Sequence, residues 1–270
     1  MPKFLFWNIG KKSLEIPVSR ICNLHGIDIL VLCESTISET DILRSLNSDI
    51  SDQYFYLPEI GCEKIKIFGR YEENMFSLVH ESSRMQIRKL SLPGADDLLV
   101  AACHLPDKGT WDEESQHVEC ERFAQEIRSK ELELGIERTV LVGDLNMNPF
   151  DLGMIKGPGF NATMCSKTAF GISRTIQERE YAFFYNPMWN LFGDQSGPAG
   201  TYYYRKSVHK IYFWNMFDQV LIRPTLIPNF VHNELEILSS DGVNSLLNAS
   251  GFPDAKNYSD HLPIKFQISI

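Results

Sequence analysis

Acids, amides and histidines recur along this chain at the ends of short apolar runs: Asn8, Glu34, His104, Asp144, Asn146, Asp218, Asp260 and His261. The clearest case is Val140-Leu141-Val142-Gly143-Asp144-Leu145-Asn146-Met147-Asn148-Pro149, an apolar run broken at Gly143 and closed by Pro149. In a strand or its extended exit, Asp144 and Asn146 point to the same side. A strand that delivers a carboxylate and a carboxamide together to its end is one way to build an active site. The same residues also suit a turn in which Asp and Asn bond their own backbone. Zinc is disfavoured, because no cysteine–histidine cluster is among these residues. Carboxylates and amides without soft ligands favour a hard divalent cation, most simply Mg²⁺. Histidines beside acids supply acid–base groups and donors for a phosphate. Together this is equipment for metal-assisted hydrolysis of a phosphoester.

The apolar pattern predicts the elements that must position these groups. Phe4 to Ile9 reads as a strand interrupted by Asn8, and Ile27 to Cys33 as a second strand ending at Glu34. Between them the spacing predicts a helix with Ile16, Val18, Ile21 and Leu24 as its apolar positions. Ser38 to Leu46 reads as a short helix capped by Ser38. Short runs at Tyr54–Leu57, Ile65–Phe68, Met75–Val79, Met85–Leu90 and Leu98–Ala102, with glycine and polar breaks, predict antiparallel hairpins. The last of these leads into Cys103-His104. Glu113 to Leu134 predicts a long helix with Val118, Phe123, Ile127, Leu132 and Leu134 on its apolar stripe, stopped by Gly135. Residues 151–200 read as an elaborated loop region, too poor in aliphatics for a core of their own. Thr201–Tyr204, Phe217–Ile222 and Ile264–Ile268 read as the later strands.

A length of 270 residues with 43% hydrophobic and 23% charged residues is that of an ordinary soluble globular protein, read here as one domain over 1–270. The net charge of -9 argues against gripping nucleic acid through the overall field, yet leaves room for a local basic lip. Six cysteines show no CxxC spacing, and Cys33 and Cys103 sit inside apolar runs, which predicts buried free thiols in a reducing compartment. A strand-like run begins almost at the first residue, with no secretory leader before it. No apolar run approaches the ~18 residues of a membrane span. The expectation is a cytoplasmic protein.

The order Trp7-Asn8, Leu32-Cys33-Glu34, Cys103-His104-Leu105, Gly143-Asp144-Leu145-Asn146, Phe217-Asp218-Gln219 and Ser259-Asp260-His261-Leu262-Pro263 resembles the endonuclease/exonuclease/phosphatase superfamily, which includes deoxyribonuclease-I-like and abasic-endonuclease-like enzymes. The match runs from the first strand to the last, and its specific segments are Gly-Asp-Leu-Asn and Ser-Asp-His-Leu-Pro. The resemblance implies an α/β fold, a four-layered α/β sandwich of two packed mixed β-sheets flanked by helices. It further implies Glu34 as principal metal ligand, with Asn8 and Asp260 assisting, and Mg²⁺ as the cofactor, replaceable by Mn²⁺. Asp144 would orient or deprotonate the attacking water, with Asn146 as its positioning partner. His261, held by Asp218, would contact the scissile phosphate, and His104 would serve as general acid or phosphate ligand. Phe217-Asp218-Gln219 departs from the family's usual Ile/Leu-Asp-Tyr/His flavour.

Substrate signals are sparser. Arg205, Lys206, His209, Lys210 and Arg223, interleaved with Tyr202, Tyr203, Tyr204 and Trp214, have the composition of a phosphate-and-stacking lip for nucleic acid. They equally fit a strand pair with inward aromatics and solvated lysines. Arg70 lies where many members of the superfamily carry a substrate-phosphate contact, and Asn8 could bond phosphate as well as metal-bound water. The expected function is an intracellular Mg²⁺-dependent phosphodiester hydrolase, a nuclease acting on DNA or RNA. The alternatives are a phosphatase for a phosphorylated small molecule or phosphoinositide, and a non-catalytic binding module of the same fold.

Overall fold

The runs Phe4–Trp7, Ile29–Cys33, Leu98–Cys103 and Val140–Val142 are buried along their whole length, as strands covered on both faces must be. A computed structural model of the chain describes residues 1–48, 53–195 and 197–270. In chain order its elements are β1 (Lys3–Asn8), α1 (Glu15–His25), β2 (Ile29–Cys33), α2 (Glu39–Leu46), β3 (Phe55–Leu57), β4 (Ile65–Gly69), β5 (Phe76–Ser82), β6 (Met85–Leu90), β7 (Leu98–His104), α3 (Glu113–Leu134) and β8 (Thr139–Asp144). There follow α4 (Leu152–Ile155), β9 (Ala162–Thr163), α5 (Ser166–Ala169), β10 (Ser173–Ile176), β11 (Arg179–Ala182), β12 (Phe184–Tyr185), β13 (Tyr202–Tyr203), β14 (Trp214–Asn215), β15 (Asp218–Ile222), β16 (Glu236–Ile237) and β17 (Ile264–Gln267).

Two mixed sheets result. One has six strands in the order β16-β17-β1-β2-β4-β3, the other seven in the order β5-β6-β7-β8-β15-β12-β9. The alternation of side chains along β7, β8 and β15 divides the interior. Leu98, Val100, Ala102, Val140, Val142, Val220 and Ile222 share one core with Phe4, Phe6, Val31 and Ile67 of the first sheet. The intervening Leu99, Ala101, Leu141 and Leu221 join Cys120, Phe123 and Ile127 of α3 in a second core. The expected layering of packed sheets with helices outside is therefore present, with α1 and α2 contributing Val18, Ile21, Ile42 and Leu46 to the first core.

The helices lie where the sequence placed them, but their buried stripes differ. Ile16 and Leu24 of α1 are 55% and 61% exposed, and the buried positions are Val18, Ser19, Ile21 and Cys22. In α3, Val118 and Leu132 are 63% and 86% exposed. Its buried stripe is instead Gln116, His117, Cys120, Phe123, Ala124 and Ile127. The helical spacing is kept, but its first turns bury polar groups that a search for apolar residues passes over. Ser38 caps α2 by accepting from Asp41 N–H, and Gly135 ends α3 in the left-handed conformation. All six cysteines are free; Cys165 alone is exposed.

Gly143 has a specific task. A Cβ there would sit 2.0 Å from the carbonyl oxygen of Cys103, its partner on the parallel neighbour β7. Backbone cannot yield as a side-chain tip does, so Gly143→Ala is expected to cost about 3 kcal/mol or more. Denaturant melts of the two proteins check this, and equal midpoints would refute it.

Candidate active site

Polar pairing carries the strands past their apolar runs and makes the site. His104 pairs with Asp144 across the parallel β7–β8 ladder, and Asp218 pairs with Asp144 across the antiparallel β8–β15 ladder. Residues opposite one another in a sheet share a face, so these three stand in one row toward the first sheet. From that sheet Asn8, which pairs with Cys33, donates through Nδ2 to Asp144 Oδ2 at 2.9 Å. Glu34 follows directly on β2 with φ 51°, a left-handed backbone that a glutamate rarely adopts. His261 arrives on the segment before β17, its backbone N–H donating to Ser259 Oγ at 3.1 Å and its carbonyl accepting from Trp7 Nε1 at 2.9 Å.

The rings and carboxylates then interlock. His261 Nδ1 is 2.8 Å from Asp218 Oδ2, and its Nε2 is 3.9 Å from Asp144 Oδ2. His104 Nε2 lies 3.5 Å from Glu34 Oε1 and 3.6 Å from Asp144 Oδ2. Asn146, at φ 49°, donates its backbone N–H to Asp144 Oδ1 at 3.0 Å while its side-chain Nδ2 is tied to Leu105 O at 2.9 Å. Asn8, Glu34, His104, Asp144, Asn146 and His261, with Asp260, line a cleft of about 710 Å³, and Asp218 lies behind His261, fully buried.

No protein-family model matches the sequence, and no curated protein matches it significantly. Solved structures match over its whole length. An AP endonuclease from Archaeoglobus fulgidus is similar at a TM-score of 0.59 and 13% identity, covering 100% of both chains. D. rerio TDP2 complexed with single strand DNA product gives a TM-score of 0.57 at 15% identity, covering 100% of this chain and 99% of that one. An endonuclease/exonuclease/phosphatase family protein from Leptotrichia buccalis C-1013-b gives 0.52 at 12% identity, covering 100% of both. The chain has the fold of the endonuclease/exonuclease/phosphatase superfamily.

Within this superfamily fold the two histidines are pushed apart. Burial lowers the His104 imidazole from its ordinary value more than the Asp144 carboxylate raises it, so His104 is neutral at pH 7. Burial also opposes the charged form of His261, but the Asp218 and Asp144 carboxylates outweigh it and raise His261 to about 10. Burial raises the Asp144 carboxyl, with His261 opposing. His104 Nδ1 and Asp218 Oδ1 are buried without a hydrogen-bond partner, as are several polar atoms elsewhere in the described chain.

Ligating atoms of Asp144, Asp218 and His261 lie within 4.8 Å of one another, close enough to hold an ion. A protonated imidazole has no lone pair to offer, however, and Asp218 already binds its Nδ1, so this trio works better as a hydrogen-bonded unit. Glu34 and Asp260 carry carboxylates into the same cleft. Asn8 has less to give: Nδ2 is engaged by Asp144, and Oδ1 already accepts from Gly10 N–H at 3.0 Å, leaving one lone pair. This all-oxygen set fits Mg²⁺ or Mn²⁺.

Of the basic lip, Lys206 and Lys210 line the cleft with Tyr202 and Tyr204, joined by Lys108, Trp111 and Tyr212. Arg205 is exposed beside it and is not among the lining residues. Arg223 belongs elsewhere: it is 3% exposed, paired with Glu131 at 2.7 Å and 3.8 Å above the Phe184 ring. Tyr203 and Trp214 pack against Phe252, away from the lip. Arg70 is not brought to the site either. It follows Gly69, which pairs with Ile29 at the start of β2, whereas Glu34 follows the other end. Its guanidinium lies 5.8 Å above the Tyr54 ring.

Residues that sequence reasoning passed over hold this arrangement together. Thr201 Oγ1 accepts from the backbone N–H groups of Phe217 and Asp218 at 3.2 and 3.1 Å. Gln116 donates to the carbonyls of Pro106 and Asn146 at 2.8 and 3.1 Å, pinning the loops after β7 and β8 to α3. A polar residue at helical spacing inside an otherwise buried face was the one signal for Gln116; Thr201 had none.

Proposed function

We propose that the chain, acting as one domain over 1–270, is a Mg²⁺-dependent phosphodiester hydrolase that cleaves nucleic acid. The observation that carries this is the row His104, Asp144 and Asp218, with His261 docked on Asp218 and Glu34 facing it from the other sheet. Glu34, with Asp260 and the remaining lone pair of Asn8, would hold Mg²⁺, which when bound supplies positive charge to the phosphoryl oxygens. Asp144, fixed by Asn8 Nδ2 and Asn146 N–H, accepts the proton of the attacking water. His261, positive through Asp218, bonds the phosphoryl oxygen through Nε2 as charge grows there. His104, neutral, donates Nε2–H as a hydrogen bond to a second phosphoryl oxygen, which makes it a phosphate ligand rather than the general acid, since a neutral imidazole does not give up its one N–H proton.

Nucleic acid is favoured by lysines and aromatics side by side on the cleft wall, and by what two neighbours of the fold are called, an AP endonuclease and a protein holding a single strand DNA product. Buried free thiols favour a reducing, cytoplasmic setting. No described helix is long and apolar enough to cross a membrane.

The test is a screen of the purified protein with Mg²⁺ against single- and double-stranded DNA, RNA and a set of phosphomonoesters. Cleavage of a polynucleotide that EDTA abolishes is expected; turnover of monoesters alone would replace the nuclease by a phosphatase. Replacing both Lys206 and Lys210 by Ala should raise KM for oligonucleotides and flatten the salt dependence by about two phosphate contacts. Equal loss on a small generic phosphodiester would instead mean that the loop supports the chemistry.

A further inference from the structure

Four aromatic rings outside both hydrophobic cores form a cluster that reaches the cleft through Tyr212. Phe150 lies 5.2 Å from Tyr212, 6.1 Å from Trp189 and 6.2 Å from Phe192, and Trp189 lies 5.5 Å from Phe192. Phe192 is 38% and Tyr212 52% exposed, although rings of this size normally bury themselves. Neither core includes any of the four.

Two connections tie the cluster to the site. Phe150 directly follows the loop that carries Asp144, Asn146 and Asn148, and its neighbour Asp151 lines the cleft. Tyr212 also lines the cleft and sits in the same β13–β14 connection as Lys206 and Lys210. One loop thus offers cations to phosphates and a ring to whatever lies beside them.

We propose that Phe150, Trp189, Phe192 and Tyr212 form a stacking platform for unpaired bases of the substrate strand beyond the scissile phosphate. The proposal rests on the nucleic-acid reading and narrows it to single-stranded segments. Every base has a π-face, so ring platforms beside cationic side chains bind single strands with little sequence preference. A paired base has both faces covered by its neighbours and cannot use the platform. A lipid surface is the poorer occupant: Phe150 and Trp189 are half-buried and pack against their neighbours, so the cluster offers ring faces to stack on rather than free side chains to insert into a bilayer.

The experiment measures fluorescence anisotropy of a labelled single-stranded oligonucleotide with Ca²⁺ in place of Mg²⁺, for wild type, Phe192→Ala, Trp189→Ala and Phe192→Leu. Thermal melts confirm that each variant is folded. Both Ala variants should raise Kd about tenfold, and Phe192→Leu nearly as much, because an aliphatic side chain fills space without stacking. Abasic spacers in the strand should weaken wild-type binding similarly and add nothing in Phe192→Ala. The salt slope of Kd should not change, since no phosphate contact is lost. An unchanged Kd in both Ala variants, or a spacer effect that persists in full in Phe192→Ala, would overturn the platform while wild-type cleavage of the strand leaves the nuclease reading standing. Wild type that neither binds nor cleaves any strand would remove both. Capture of vesicles by wild type but not by Phe192→Ala would overturn the base platform in favour of a lipid surface.

Discussion

Replacing Asp144 by Asn is expected to lower kcat about 10³- to 10⁴-fold with little change in KM. The carboxylate is 1% exposed and accepts from Asn8 Nδ2 and Asn146 N–H, so both oxygens are already aimed. Asn fits the same space but cannot take a proton, and its NH₂ must face one of those two donors. Folding should suffer little, since losing a charge that burial disfavours offsets the misplaced donor. Steady-state kinetics on the best substrate from the screen, with a thermal melt of each protein, checks both halves. A variant keeping more than a tenth of wild-type kcat would remove Asp144 as the base.

The second large effect concerns Asp218 and His261. Asp218→Asn keeps the shape but deletes the charge 2.8 Å from His261 Nδ1. Burial, otherwise outweighed by Asp218 and Asp144, then pulls the imidazole down from about 10. With less of the positive form at pH 7, kcat should fall about 10²- to 10³-fold, and KM should hold because the phosphoryl charge grows in the transition state. His261→Ala and the double variant should be similarly impaired, as residues acting as one unit do not add. Full additivity in that cycle would dissolve the pair. Stability carries a matching signature. A histidine raised above its unfolded value stabilises fully below the unfolded pKa of about 6.5, and that contribution is lost as pH rises toward about 10. The stability gap between wild type and Asp218→Asn should therefore narrow over that window.

Much of the site was readable because strand period and polar punctuation coincide. His104 and Asp144 close apolar runs and Asp218 opens one, and ladder pairing aligns all three. Asn8 and Glu34 end the adjacent parallel strands β1 and β2 for the same reason. Arg70 shows what such reading lacks. It too follows an apolar run, but β4 is antiparallel to β2, so its C-terminal end points away from the cleft. Strand direction is a tertiary fact that local periodicity does not contain. Arg223 illustrates a related gap: proximity in sequence to the lysines did not put it on their surface, and a half-buried Glu131 claimed it. On α3 the true stripe passes through Gln116 and His117. Burial of Gln116 depends on the carbonyls of Pro106 and Asn146 that the loops offer, which no propensity scale records.

The proposed hydrolysis depends most on a divalent cation held by Glu34, a residue fixed in the left-handed region and lining the cleft. Calorimetric titration of Mg²⁺ into wild type and Glu34→Gln tests this directly. The wild type should show a single saturable binding event, and Glu34→Gln should bind at least about tenfold more weakly, in line with the loss of a charged oxygen ligand. Equal affinity in the two proteins, or no binding by either, would contradict it.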